Sequence, residues 1–133
     1  MQRWLITGAN RGIGLEFAHQ LAEAGEHPVY GALAVPDDHG VAQQVEAIAR
    51  EAQVPPTHYE VFDASRGGFG KVDPQLLDFI AETEAASGIP LEPLYTGKAL
   101  LALRQQVEAG RFEAGTRLIF IHTGGLQGRR GFA

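Results

Sequence analysis

The stretch Thr7-Gly8-Ala9-Asn10-Arg11-Gly12-Ile13-Gly14 combines residue types that can hold an anion. It follows a short apolar run and opens an apolar-periodic segment. Glycines let the backbone turn tightly and come close to a phosphate, and a helix start adds free N–H groups and a positive dipole end. A tight strand-to-helix turn that binds nothing has the same composition, so both readings stand at this point. Two more glycine-rich stretches occur, at 66–70 and 123–125. Asp37-Asp38 could reach a ribose hydroxyl, although helix capping accounts for the pair more simply. The histidines are His19, His27, His39, His58 and His122. No two of them show the i, i+4 spacing with a glutamate that a helical zinc site has, so no metal site is expected. His122 lies between an apolar run and a glycine pair, where orienting the loop is a better fit than catalysis.

The elements that must position these loops can be read from the apolar pattern. Trp4-Leu5-Ile6-Thr7 reads as a buried strand, and Ile13, Phe17 and Leu21 form one face of a helix that stops at Gly25. Val29–Val35 is a continuous apolar run, as in a strand covered on both faces. A second helix carries Val41, Val45, Ile48, Ala49 and Ala52, and a third strand is predicted at His58–Phe62. Asp73-Pro74 reads as N-cap plus first helical residue. The stripe of that helix is Leu76, Leu77, Ile80 and Ala81, and Gly88 ends it. Thr96 reads as the cap of a last helix with Leu100, Leu103 and Val107, closed by Gly110. Leu118–Ile121 is the last strand. Strands that alternate with helices need crossovers, so the expected fold is α/β: three αβα layers around a mostly parallel, doubly wound sheet. Residues 1–133 read as a single domain. The loops at 8–14 and 123–125 follow strands, at the carboxyl ends where ligands of open α/β sheets sit.

Composition excludes several classes. The chain has 133 residues, a formal net charge of −5 and an apolar share of 44%. An acidic chain without a basic run is a poor match for nucleic acid or an anionic membrane. No apolar stretch approaches the ~20 residues of a membrane span, and the first residues do not resemble a signal peptide. The absence of cysteine removes disulfides, thiolate metal sites and cysteine nucleophiles, and it fits a cytoplasmic protein.

The opening, Trp4-Leu-Ile-Thr-Gly-Ala-Asn-Arg-Gly-Ile-Gly-Leu-Glu-Phe-Ala18, resembles the dinucleotide-binding motif of short-chain dehydrogenases/reductases over 1–25. That resemblance implies cofactor pyrophosphate at the glycines and, from Arg11, NADP over NAD. The family's catalytic Tyr-x-x-x-Lys is missing. The residues four after Tyr30, Tyr59 and Tyr95 are Ala34, Asp63 and Ala99.

Three other motifs resemble the carboxyl-terminal part of the D-cysteine desulfhydrase / 1-aminocyclopropane-1-carboxylate deaminase family over 26–133. They are Phe69-Gly70-Lys71 with Pro74-x-Leu76-Leu77, then Ile89-Pro-Leu-Glu-Pro-Leu-Tyr-Thr-Gly-Lys98, then Ile119-Phe-Ile-His-Thr-Gly-Gly-Leu-Gln-Gly128. These are pyridoxal-phosphate enzymes of the tryptophan-synthase-β fold, of which this chain carries an incomplete sheet. The resemblance implies that Tyr95 lies beside cofactor and substrate, that Thr96 faces the pyridine nitrogen, and that Thr123 and Gly124 line the ring. Threonine at 96 and 123 matches the desulfhydrase branch, which eliminates a thiol from a small amino acid. A threonine hydroxyl can bond an unprotonated ring nitrogen, whereas the glutamate of the deaminase branch keeps it protonated. In that fold a glycine loop cradles the cofactor phosphate just before the strand read here at Val29–Val35, which gives the role to Thr7, Gly8, Arg11, Gly12 and Gly14. Two features depart from the family. Phe69 replaces a second active-site tyrosine. Neither lysine, Lys71 or Lys98, stands at the position that binds the cofactor covalently, and Lys98 is expected to be a structural or surface residue.

The expectation is therefore a truncated or fused portion of a pyridoxal-phosphate-dependent lyase, its activity on its own left open. The alternatives are an NADP-binding module and a non-catalytic phosphate-binding or interaction fragment. An incomplete sheet leaves an open edge, so a homodimer or self-association is expected.

Overall fold

The computed structural model describes Gln2–Thr7, Val29–Leu33 and residues 59–132 except Phe69, with single positions at 20, 43, 46, 47, 50 and 51. Gly8, Arg11, Gly12 and Gly14 lie outside the described residues, and of the two amino-terminal helices expected from the sequence only those single positions, all helical, are described.

Four strands are described: β1 (Gln2–Thr7), β2 (Val29–Leu33), β3 (Tyr59–Asp63) and β4 (Arg117–Ile121). They form one sheet in the order β3-β2-β1-β4. Every pairing is parallel, with Trp4 opposite both Val29 and Ile119, and Val29 opposite Tyr59. The parallel sheet expected from the strand–helix alternation is thus present. β1 to β3 extend to one side, and the chain then returns to place β4 on the other side of β1. That reversal defines a switch point between the carboxyl ends of β1 and β4.

Two helices separate β3 from β4: α1 (Pro74–Ser87) and α2 (Thr96–Glu108). α1 starts as its sequence dictates. Asp73 caps it through Oδ1, which accepts the Leu76 N–H at 3.0 Å, and Pro74 fills the first turn, where its missing N–H costs nothing. Gly88 ends it with φ 69°, a left-handed conformation that glycine adopts freely. The buried face of α1 is Leu76, Phe79 and Ile80. Leu77 is instead exposed, as is Ala81. The i, i+3, i+4 set that starts from Leu76 includes Phe79 and Ile80 and leaves Leu77 about 100° away around the axis.

In α2 the apolar face likewise differs from expectation. Leu101 is buried, whereas Val107 is exposed. The helix serves two small cores. Leu101 packs with Leu76, Phe79, Ile80 and Leu91, while Ala99 packs with Ala64, joined by Phe62, Ala102, Leu103, Phe112 and Phe120. Arg104 bonds Glu108 at 2.8 Å and lies 5.6 Å over the Phe79 ring, tying the two helices together on the outside.

Candidate functional site

The first turn of α2 anchors the site. Thr96, Gly97, Lys98 and Ala99 are all buried. Thr96 does not cap the helix from outside, as the sequence suggested. It is the first helical residue, and the residue before it, Tyr95, makes no side-chain cap bond. The cap comes from Glu92, which is fully buried. Its Oε1 accepts the N–H of Tyr95 at 2.7 Å and of Thr96 at 2.5 Å, and its Oε2 accepts the N–H of Leu94 at 2.7 Å. The Glu92 N–H in turn donates to Thr96 Oγ1 at 3.2 Å, and the Glu92 carbonyl accepts the Gly97 N–H at 2.9 Å. This is a capping box run backwards, with the carboxylate upstream of the helix and the hydroxyl inside it. A charge that would be costly to bury is held by three donors and the positive end of the helix. The N-terminus of α2 is thus occupied by the protein's own carboxylate.

Gly97 is required here by space. A Cβ would lie 2.6 Å from Ile80 Cδ1 and 2.8 Å from the Glu92 carbonyl oxygen. Lys98 points the other way, toward the glycine loop after β3. Its Nζ donates to the carbonyls of Gly68 at 2.7 Å and Ser65 at 3.0 Å. Lys98 is 1% exposed, so its role is structural rather than superficial. Burial is the largest influence holding its pKa below the ordinary lysine value, with the Arg66 charge adding to it and Asp73 and Glu92 opposing. The loop itself turns through positive φ at Arg66, Gly67 and Gly68. It is fixed further by Arg66, whose Nε bonds Asp73 at 2.5 Å, and by the Ser65 N–H on Asp63 Oδ1 at 2.8 Å.

The histidine–threonine turn arrives at the same place. Ile6 pairs with Ile121, so β1 and β4 release their loops side by side, one at Thr7 and the other at His122. His122 Nε2 lies 2.8 Å from the Pro90 carbonyl, and its Nδ1 is 3.0 Å from the Gly124 nitrogen. Gly125 packs on Glu92, where a Cβ would lie 3.8 Å from Cγ, and a Cβ at Gly128 would lie 3.1 Å from Oε2. Arg129 pairs with Glu84 at 3.0 Å, and Glu84 also takes the Leu91 N–H at 2.6 Å. Residues 84–96 and 122–129 therefore close around one buried carboxylate.

The turns bearing Tyr95, Thr96, Thr123 and Gly124 are thus brought together. Tyr95 is 42% exposed and Thr123 is exposed, whereas Thr96 is 0% exposed and fully covered by its own chain. Only the strand backbone of Thr7 is described for the anion loop, and the rest of that loop lies outside the described residues. Sequence reasoning missed Glu92 and the clamp formed by Lys98. A glutamate four residues before a threonine, across Pro93, was the one sign of the box. No group of histidines, aspartates and glutamates suited to a metal occurs among the described residues, and no helix there is long and apolar enough to cross a membrane.

No protein-family model matches the chain. It is 34% identical over 91 residues to a putative 1-aminocyclopropane-1-carboxylate deaminase of Pyrococcus horikoshii, covering 68% of this chain and 26% of that protein. It is 30% identical over 69 residues to the bifunctional D-cysteine desulfhydrase/1-aminocyclopropane-1-carboxylate deaminase of Arabidopsis thaliana, covering 51% of this chain and 17% of that one. The solved structure of an ACC deaminase homologue superposes with a TM-score of 0.77 at 26% identity, covering 96% of this chain and 41% of its own.

Proposed function

The chain is related to the carboxyl-terminal part of the 1-aminocyclopropane-1-carboxylate deaminase / D-cysteine desulfhydrase family, and from that premise we propose that it forms one wall of a pyridoxal-phosphate-dependent lyase of the desulfhydrase type. The observation that carries the reading is that Glu92, whose carboxylate holds the Tyr95–Thr96 backbone, is also the group on which Gly125 and Gly128 pack, just after Thr123–Gly124. Two segments distant in sequence meet there, and both bear family motifs. Thr123 keeps the desulfhydrase-type threonine at an exposed position, whereas Thr96, expected to face the pyridine nitrogen, is fully buried with its Oγ1 on the Glu92 N–H and acts only on the shape of its own turn.

The residues described do not fit covalent attachment of the cofactor. Lys98 is buried with its ammonium on two backbone carbonyls, and Lys71 is exposed on the loop. Thr96 offers no open surface. When bound, pyridoxal phosphate supplies the electron sink for β-elimination; the part assigned to this chain is to hold the turns in place. Glu92 fixes the backbone of Tyr95 and Thr96, leaving the Tyr95 side chain at the surface. Lys98 ties the Ser65–Gly68 loop to the same helix turn. The phosphate, on this reading, sits at the loop after β1, since the start of α2 is already filled.

The test is titration of the chain with pyridoxal phosphate and, separately, NADPH, following Trp4 fluorescence, with borohydride treatment and peptide mass analysis after the first. We expect saturable quenching by pyridoxal phosphate, no adduct on Lys98 and no response to NADPH. A borohydride-stable adduct on Lys98, or saturation by NADPH alone, overturns the proposal.

A further inference from the structure

The two contacts of His122 determine where its proton is. The Pro90 carbonyl only accepts, so Nε2, 2.8 Å away, must carry the hydrogen. The Gly124 N–H only donates, so Nδ1, 3.0 Å away, must be bare. The ring is therefore neutral and in a single tautomer. A hydrogen on Nδ1 would face the Gly124 N–H donor to donor. The ring is half-buried, so water reaches it. The elements packed on this turn carry charges that are already engaged. Glu84 pairs with Arg129, and the Glu92 carboxylate takes three backbone N–H groups. The turn itself depends on backbone that only glycine adopts freely, with φ 86° at Gly124 and 81° at Gly125.

We propose that His122 is the positioning residue of the Thr123–Gly124 turn, holding it against Pro90 in the Nε2–H tautomer. The assignment rests on the lyase reading for its relevance to the cofactor, since Thr123 and Gly124 are the residues placed at the ring. The latch itself is independent of that reading.

The experiment is NMR on the isotopically labelled chain. Long-range imidazole spectra at neutral pH should show His122 as the Nε2–H tautomer alone. Exchange of the Gly124 amide should be about five- to tenfold faster in His122→Ala than in wild type, while the Leu101 amide in α2 stays protected. His122→Asn should restore slow exchange, because its Oδ1 can accept the Gly124 N–H across the same two residues. An Nδ1–H tautomer, or Gly124 exchange that is equal in wild type and His122→Ala, overturns the latch. If pyridoxal phosphate quenching is lost in His122→Ala and regained in His122→Asn together with Gly124 protection, the latch serves the cofactor site. If the NMR result holds without any quenching, the latch stands and the lyase reading fails.

Discussion

The carboxylate of Asp73 makes two bonds at once. Oδ1 takes the Leu76 N–H at the start of α1, and Oδ2 takes the Arg66 guanidinium from the loop after β3. The Arg66 bond is the main influence holding this carboxyl below the ordinary aspartate value, with the Leu76 N–H contributing in the same direction against partial burial. A depressed carboxylate pKa contributes stability that is complete above the unfolded-state value and is lost as pH falls through the folded-state value. Asp73→Ala should cost about 1 kcal/mol at neutral pH. The gap to wild type should narrow as acid protonates Asp73, and urea titrations over a pH series would show it. A gap that is constant with pH would remove Arg66 from the account. The cap was legible in the sequence, because it acts three residues ahead on the chain and Asp-Pro is enough to announce it. Glu92 and Lys98 were not legible in the same way. Their partners are backbone atoms, which have no signature in sequence. The carbonyls that hold Lys98 lie 30 and 33 residues upstream, and the glycines that pack on Glu92 belong to the turn after β4.

Among the elements, the sheet was more legible than the helix faces. Continuous apolar runs between helical patterns require crossovers, and crossovers require parallel pairing, so the strands follow from pattern alone. α1 and α2 pack on each other, and that contact moved their buried faces off the stripes read from leucines. Phe79 took the place given to Leu77. The crossing point of the two helices is Gly97 against Ile80. Gly97→Ala should therefore destabilise the chain by about 1–3 kcal/mol although alanine is the better helix former, because the Glu92 carbonyl on one side of the new methyl is backbone and cannot turn away. Thermal unfolding of Gly97→Ala beside Gly97→Ala/Ile80→Val separates the causes. Partial recovery in the double variant is expected, and further loss would show that the space is not the constraint.

For the molecule as a whole, the family was legible because three motifs keep their order, while the meeting of two of them on a buried carboxylate depends on long-range folding that no local pattern encodes. The chain spans 26% of the length of the Pyrococcus horikoshii relative and 41% of the solved homologue. Among the described residues, β3 and β4 are the outer strands, and β4 is apolar from Leu118 to Ile121, its one charge, Arg117, standing at the start of the strand. Light scattering should show mass rising with concentration, and Ile119→Lys should suppress the rise. A constant monomer mass would mean that this edge is covered. The loop after β3 has a different character. The carbonyl oxygens of Ser65 and Gly68 converge as they would on a dissolved metal ion, yet the positive charge at their centre is the tip of a side chain from the same polypeptide. The cation that organises the loop is thus supplied by the chain itself.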